Sequence, residues 1–241
     1  MRTQEIHFPD QQQVLCAFPA ERSELAQAVS ELKLGNTQPV IVLIGGMIKK
    51  QELTASMKAI QSIAKVAEDM KALVICGGTD MGVMSEIGLM RSRNGYKFPL
   101  IGITLEDLVT WPGGPKSTKF LLWGKQLWPL APHYTHFILV PGNEFGDESP
   151  WIVDAATILS KGHQSVTILI NGGEVSRKDI DLSLEHGRPV IALARTGRLA
   201  DELARQPTRD KLITVIPANS DKQIVEVVQA ALSASDVQAA S

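Results

Sequence analysis

Short runs of apolar residues, many of them β-branched, alternate along the chain with longer amphipathic stretches. The runs are nearly continuously apolar rather than alternating, which is typical of parallel strands that are covered on both faces. The pattern predicts seven such strands and a weaker eighth, which fall at 39–44, 73–76, 100–104, 137–140, 166–170, 190–194 and 212–216, with the weak one at 14–18.

Helical patterns fill the intervals between these runs. From Leu53 onward, apolar positions recur at the spacing of one buried helix face. Ser149 and Pro150 are typical of an N-cap followed by proline, and Ser220 with Gln223 predicts a capping box. Strand–helix alternation over the whole length predicts an α/β fold, with a Rossmann-like, doubly wound, mostly parallel sheet of about seven strands and helices on both faces.

No linker rich in proline, glycine or serine divides this pattern. We therefore expect a single domain over residues 1–232, followed by a flexible C-terminal tail at 233–241. The one long irregular stretch, 107–136, contains three of the four tryptophans. A loop of that length is usually functional, and its aromatic content also suits an interface between copies in a homo-oligomer.

The composition of the chain excludes several classes of binding partner. The chain has 24 Lys and Arg against 26 Asp and Glu, a net charge of −2, so no basic excess points to duplex nucleic acid or to a membrane surface. No apolar run is long enough for a membrane span, and the first ten residues lack the apolar segment of a secretory signal. Two cysteines are too few for a disulfide framework. We expect a cytoplasmic protein.

Five of the predicted strands end in turns that contain glycine. Ligands of parallel sheets bind at these carboxyl ends, where glycine permits close approach and the next helix N-terminus attracts phosphate. A tight turn explains any one of them equally well, but five together favour ligand binding. The candidate ligand-binding residues are Gly45, Gly46, Gly77, Gly78, Thr79, Asp80, Gly82, Pro141, Gly142, Asn143, Glu144, Gly146, Asn171, Gly172, Gly173, Thr196, Gly197 and Arg198.

The chain lacks the sequence motifs of several known nucleotide-binding and enzyme classes. The chain contains no G-x-G-x-x-G dinucleotide fingerprint, no P-loop and no G-x-S-x-G nucleophile elbow. The histidines at 133 and 136 do not form a metal-binding pattern, so we expect no metal site. Arg198 stands at a helix start, where a cation opposes the helix dipole, so it indicates an external anion; the alternative is an ion pair with Asp201 or Glu202.

The turn at 141–149 concentrates three carboxylates, Glu144, Asp147 and Glu148. Asp147 and Glu148 could simply complement the dipole of the following helix. Acids beside a phosphate site could equally bind ribose hydroxyls, activate water or hold a divalent cation. Glu144 is the better candidate for a ligand contact because it lies in the turn itself.

The segments 77–82, 101–103, 133–140, 171–173 and 196–201 occur in an order that resembles a known family. They are similar to the cytoplasmic N-terminal region of TRPM cation channels and, more closely, to its free-standing prokaryotic form, the SLOG-in-TRPM (LSDAT) domain. The resemblance spans roughly residues 38 to 206, and Gly197–Arg198 is its most specific part. It implies a Rossmann-like fold of the SLOG superfamily that binds a nucleotide or a nucleotide-derived ligand such as ADP-ribose.

The same superfamily includes the LOG phosphoribohydrolases and the DNA-processing protein DprA. LOG enzymes carry P-G-G-x-G-T-x-x-E, whose glutamate serves catalysis. The corresponding segment here has Asn143 for the second glycine, one more residue before Gly146 and no threonine. The resemblance makes Glu148, or alternatively Glu144, the candidate catalytic acid of a hydrolase.

The leading hypothesis is a binding or sensing domain for a nucleotide-derived ligand, with no certain permanent cofactor. The phosphates would lie on 77–82 and on the helix start at 196–198, and Asn143 and Glu144 would contact the ribose or the base. The alternatives are a hydrolase that cleaves an N-glycosidic or phosphate bond of a nucleotide, and a scaffold whose glycine turns serve only the fold.

Overall fold

A computed structural model of the chain describes residues 1–9, 12–114, 127–206 and 210–234. The strands in these ranges are β1 Arg2–His7, β2 Gln13–Phe18, β3 Val40–Gly45, β4 Leu73–Cys76, β5 Leu100–Leu105, β6 Val109–Thr110, β7 Trp128–Pro129, β8 His136–Val140, β9 Ser165–Ile170, β10 Val190–Ala194 and β11 Ile213–Pro217. The α-helices are α1 Leu25–Glu31, α2 Leu53–Asp69, α3 Gly82–Arg93, α4 Ser149–Leu159, α5 Glu174–Glu185, α6 Arg198–Arg205 and α7 Asp221–Ser233. Most of the predicted tail, from residue 235 on, lies outside the described residues.

The main sheet has nine strands in the order β1-β2-β8-β5-β4-β3-β9-β10-β11. Every neighbouring pair from β2 to β11 is parallel, and only β1 is antiparallel to its neighbour. Side chains of the central strands alternate between two cores: Ile41 and Leu43 face the core formed with α2, α3 and α7, whereas Val42 and Ile44 face the core formed with α1, α4, α5 and α6. The mostly parallel, doubly wound α/β sheet predicted from the sequence is confirmed.

The predicted number of about seven strands was too low, because the sheet has nine strands within the described residues. The weak candidate at 14–18 does form β2, and β1 was missed altogether. In β1 only Ile6 is buried, since this edge strand packs one face on the core and leaves the rest to solvent. A strand of that kind carries no continuous apolar run.

Local capping also differs from the sequence pattern. Ser149 is the first residue of α4 and the N-cap position belongs to Glu148. Ser220 does occupy the N-cap of α7, but its side chain makes no capping hydrogen bond.

The stretch 107–136 contains a two-stranded parallel sheet of β6 and β7, with Trp111 buried beside it; Trp123 lies outside the described residues.

The order of the strands reverses between β3 and β9. From β3 the chain moves through β4 and β5 to β8, and α4 then carries it back to β9 on the other side of β3. The ends of the two strands are in register, with Gly45 opposite Ile170. The loops after β3 and β9 therefore diverge to opposite faces, and a crevice opens between them, which is the usual ligand position in such sheets.

Candidate functional site

A cavity of about 260 Å³ opens at this crevice, beside the carboxyl ends of β3, β4 and β5. Its apolar walls include Leu43, Ile44, Met47, Met81, Met84, Phe145 and Ile152, and its polar side chains are Thr79, Thr104, Glu148, Ser176 and Asp179. Mostly apolar walls with a few placed polar groups are typical of a small-molecule site.

Two carboxyl groups lie buried in this cavity wall. Glu148 is 6% exposed, and its Oε2 accepts a hydrogen bond of 2.7 Å from the backbone N–H of Gly146. Burial, and to a smaller extent the nearby charge of Asp179, raise the pKa of Glu148 to about 7. Asp179 is also 6% exposed, and burial raises its pKa to about 6. The pair therefore changes its charge close to neutral pH.

The guanidinium of Arg198 lies between the turns that follow β3 and β9. A Cβ added to Gly46 would lie 3.2 Å from Arg198 Nη1, and one added to Gly173 would lie 2.2 Å from Nη2. The side chain forms no ion pair with any described residue, so the alternative of a pair with Asp201 or Glu202 is not observed. A cation between two glycine turns at the switch point is suited to bind an anion.

A buried hydrogen-bond network holds the turn that carries Arg198. Asn171, fully buried, donates from its backbone N–H to Thr196 Oγ1 and from its side-chain Nδ2 to Thr196 O, both at 2.8 Å. The same Nδ2 donates at 2.8 Å to Glu52 Oε2, which also accepts from the N–H of Lys49. Three loops, after β3, β9 and β10, are thereby fixed relative to one another.

The backbone of this turn is strained. Arg195 and Arg198 have φ values of +71° and +44°, and Gly197 between them has +99°; Asn171, in the turn after β9, has +64°. Side-chain-bearing residues enter this left-handed region only at an energetic cost, and such residues cluster at functional sites. The network around Asn171 stabilises the conformation that aims Arg198 at the crevice.

A second groove of about 290 Å³ is lined by Gly172 and Gly173. Its lining includes three arginines and two glutamates, Glu174 and Glu202; Arg177 is bonded to Glu202 at 2.9 Å, while Arg198 and Arg205 are exposed. The cavity is thus lined by two buried acids, and the groove carries an excess of arginine over glutamate.

The sequence-predicted residues separate into groups in the structure. Gly45, Gly46, Gly77, Thr79 and Glu148 line the cavity. Gly172, Gly173 and Arg198 line the basic groove, and Asn171, Thr196 and Gly197 belong to the buried turn that supports it.

Three candidates in the turn after β4 have local structural contacts. Gly78 packs so closely that a Cβ would lie 2.7 Å from Gly102 Cα, and a Cβ on Gly82 would lie 2.2 Å from Gly46 O. Asp80 accepts a hydrogen bond from Ser85 Oγ at the start of α3.

The turn at 141–148 is built around Asp147. Its Oδ2 accepts the backbone N–H groups of Asn143 and Glu144 at 2.8 and 3.2 Å, and these bonds lower the pKa of Asp147. Asn143 and Glu144, like Pro141, are exposed and lie outside the cavity wall, and Gly142 packs on Leu105. The turn's contribution to the cavity is Glu148, which Gly146 holds in place.

Sequence reasoning missed two buried acids, Glu52 and Asp179. Glu52 precedes α2 and its partner Asn171 is 119 residues away in the chain. Asp179 shares the buried face of α5 with Ser176, Ile180 and Ser183. A charged residue on the inward face of an amphipathic helix was the one signal available for it.

The described residues contain no group of three or more His, Cys, Asp or Glu side chains placed to hold a metal ion. Burial lowers the pKa of His136 to about 4, so this histidine is neutral at physiological pH. Over the same described ranges, no helix is both long enough and apolar enough to cross a bilayer.

Solved structures share this fold at low sequence identity. The crystal structure of the structural-genomics protein TM1055 matches with a TM-score of 0.55 at 16% identity, over 79% of this chain and 98% of the other. The molybdenum cofactor carrier protein of Chlamydomonas reinhardtii matches with a TM-score of 0.50, and the molybdenum cofactor binding protein of the phototrophic bacterium Rippkaea orientalis with 0.53. Both are 16% identical, and each match covers 80% of this chain and 96% of the other.

A profile of one protein family matches most of the chain. The family is described as SLOG in TRPM, prokaryote, and the match extends over residues 38–235. This range runs from the entry to β3 through the end of α7 and so includes both carboxyls of the cavity, the glycine turns and Arg198. The chain therefore belongs to the prokaryotic SLOG-in-TRPM family.

Proposed function

We propose that the protein binds a nucleotide or nucleotide-derived ligand of the ADP-ribose type at the crevice between β3 and β9. A phosphate group of the ligand lies at the rim formed by Gly46, Gly173 and the guanidinium of Arg198. The heterocyclic end of the ligand occupies the apolar cavity. The two buried free thiols, Cys16 and Cys76, suit a reducing cytoplasm as the place of this function.

The observation that carries the proposal is the position of Arg198. A guanidinium without an ion pair among the described residues lies against two glycine backbones at the switch point of a parallel sheet. It is held there by a strained turn and a buried network. Strain and burial of polar groups both cost folding free energy, so a purely structural turn gains nothing from this arrangement.

The acids of the cavity and the arginines of the groove support a ligand orientation with the ring in the cavity and the phosphate at the groove. Phosphate next to Glu148 and Asp179 would meet carboxyl groups in a low-dielectric cavity, which is unfavourable, whereas at the basic groove it meets arginine. The apolar walls suit a flat, uncharged ring. Two structures of similar fold are named as carrying or binding the molybdenum cofactor, which supports small-molecule binding by this chain as well.

Thermal shift and titration calorimetry with ADP-ribose, NAD, AMP and cyclic AMP test the proposal. A ligand that binds the folded state raises the melting temperature by mass action. Arg198→Gln is expected to weaken binding about 10- to 100-fold, since it removes a charge-assisted hydrogen bond. Arg195→Gln is the matched control, because Arg195 is an exposed cation of the same turn that lines neither the cavity nor the groove.

Two results would contradict the proposal. One is the absence of a thermal shift with every phosphate-bearing ligand of the panel. The other is an equal loss of affinity in Arg198→Gln and Arg195→Gln, which would indicate a diffuse charge effect rather than a placed guanidinium.

A second candidate function, hydrolysis of an N-glycosidic or phosphate bond, is favoured by Glu148. Its carboxyl is buried in the cavity with a pKa of about 7, which suits a general acid or base at neutral pH. Incubation with AMP or ADP-ribose, followed by chromatography for released base or ribose phosphate, tests it. Glu148→Gln should abolish any turnover, and Glu144→Gln, an exposed acid of the same turn, should leave it intact.

The tryptophan-rich stretch at 107–136 also predicts self-association into a homo-oligomer. Size-exclusion chromatography with light scattering measures it directly, and a monomeric mass at micromolar concentration would contradict it.

A further inference from the structure

One carboxylate oxygen of Asp179 receives no hydrogen bond from any described residue. This oxygen, Oδ1, is buried and has no partner in hydrogen-bond geometry among the described residues; the hydroxyl of Ser149 lies near enough to lower the pKa of Asp179, but it does not meet that geometry either. A buried, unpaired carboxylate oxygen is costly for folding and is rare in native proteins. It lines the same cavity as the ligand site, so a ligand can supply the missing donor.

The walls around Asp179 select the shape of what binds there. Met47, Met81, Met84 and Phe145 line the cavity, and Met47 and Phe145 are 55% and 37% exposed although both are large and apolar. Polarisable thioethers and an aromatic ring pack well against the faces of a flat heterocycle. The walls supply stacking surface, and the carboxyl supplies an acceptor at the edge.

We propose that Asp179 determines which ring the site accepts. It takes a hydrogen bond from an N–H group on the edge of the uncharged heterocycle of a nucleotide, and the phosphate of the same nucleotide lies at Arg198. This inference rests on the proposed nucleotide-binding function and specifies its substrate class: ligands whose ring bears an amino or ring N–H donor. Ligands with a ring of equal size but no donor leave Asp179 unsatisfied and are rejected. A site built around a buried acceptor discriminates strongly against analogues that lack the matching donor.

A series of nucleoside 5′-monophosphates with the same ribose and phosphate tests this. AMP and GMP carry exocyclic amino groups, whereas purine riboside monophosphate has the same ring system without any N–H donor. We expect at least one of the first two to bind the wild-type protein about 10- to 100-fold more tightly than purine riboside monophosphate. In Asp179→Leu, which removes the acceptor at similar size, this preference should fall to within about 3-fold, while Asp181→Leu, at an exposed acid on the same helix, should retain it.

The outcomes separate this inference from the function on which it rests. If all three nucleotides bind equally well to the wild-type protein and Arg198→Gln weakens them all, the phosphate site stands and the role of Asp179 is overturned. If Asp179→Leu keeps the preference, the role is likewise overturned. If none of the three binds, both proposals fail.

The melting temperature of the ligand-free protein gives an independent readout. Asp179→Asn removes a desolvated, unpaired charge, so its melting temperature should equal or exceed that of the wild-type protein. A clear decrease would give Asp179 a structural role and would contradict the inference.

Discussion

The guanidinium of Arg198 lies so close to the backbone of Gly173 that a Cβ on this glycine would fall 2.2 Å from Nη2. The glycine leaves the space that the arginine occupies. Gly173 has an extended backbone with φ of −144°, so its conformation alone does not require glycine. The position of Arg198 explains why this residue has no side chain. A substitution of Gly173 should therefore displace the guanidinium without changing Arg198 itself.

Gly173→Ala is expected to weaken ligand binding about tenfold with little change in the melting temperature. The added methyl displaces the far end of a flexible side chain and leaves the backbone unstrained, so the folded state adapts and the anion site does not. Titration calorimetry and thermal unfolding measure the two effects. In the Arg198→Gln background the same substitution should have no further effect on affinity, and an equal loss in both backgrounds would contradict the assignment.

Asn171→Asp is expected to lower the free energy of unfolding by about 2–4 kcal/mol, because it replaces the Nδ2 donor with an oxygen that faces Glu52 and the carbonyl of Thr196. Denaturant unfolding measures this loss. Asn36→Asp is the control, since Asn36 is exposed in the loop between α1 and β3, and it should change the free energy by less than about 1 kcal/mol. Equal effects at the two positions would contradict the buried network.

The stability of the ligand-free protein should depend on the two cavity carboxyls between about pH 4 and 7. Burial raises the pKa of Glu148 to about 7 and that of Asp179 to about 6, so the folded state retains protons that the unfolded chain has lost. Their contribution to stability therefore decreases as pH rises through this window. The buried His136, whose pKa is lowered to about 4, acts in the opposite direction because its unfolded form binds a proton first.

Comparison of variants with the wild-type protein isolates the carboxyls from His136. The stability of Glu148→Gln and Asp179→Asn, relative to wild type, should increase from pH 4 to pH 7 by about 1–3 kcal/mol and then level off. Denaturant unfolding at each pH measures this difference. A difference that does not vary with pH would contradict the burial of the two groups.

The sequence allowed the fold class and part of the candidate site to be predicted, because both depend on local patterns. Continuous apolar runs that end in Gly45–Gly46 and Gly172–Gly173 mark strands and their turns without any tertiary information. The order of the strands is not contained in that pattern. The meeting of Gly46, Gly173 and Arg198 therefore became visible only with the sheet topology.

The residues that the sequence did not reveal have their roles through contacts with residues far away in the chain. Glu52 has its role through Asn171, 119 residues later, and nothing in its own neighbourhood distinguishes it from a surface acid. Asp179 becomes a cavity group only because α5 packs its inner face beside the turn that holds Glu148. The edge strand β1 was missed for a related reason, since it buries only Ile6 and obtains its stability from pairing with β2.

A crystal structure of the protein with the tightest-binding nucleotide tests the central claim most directly. We expect a phosphate oxygen within hydrogen-bond distance of the Arg198 guanidinium, at the rim of Gly46 and Gly173, and the heterocycle in the cavity beside Asp179. A nucleotide whose phosphates lie on the turn at 77–82, with Arg198 unengaged, would contradict it.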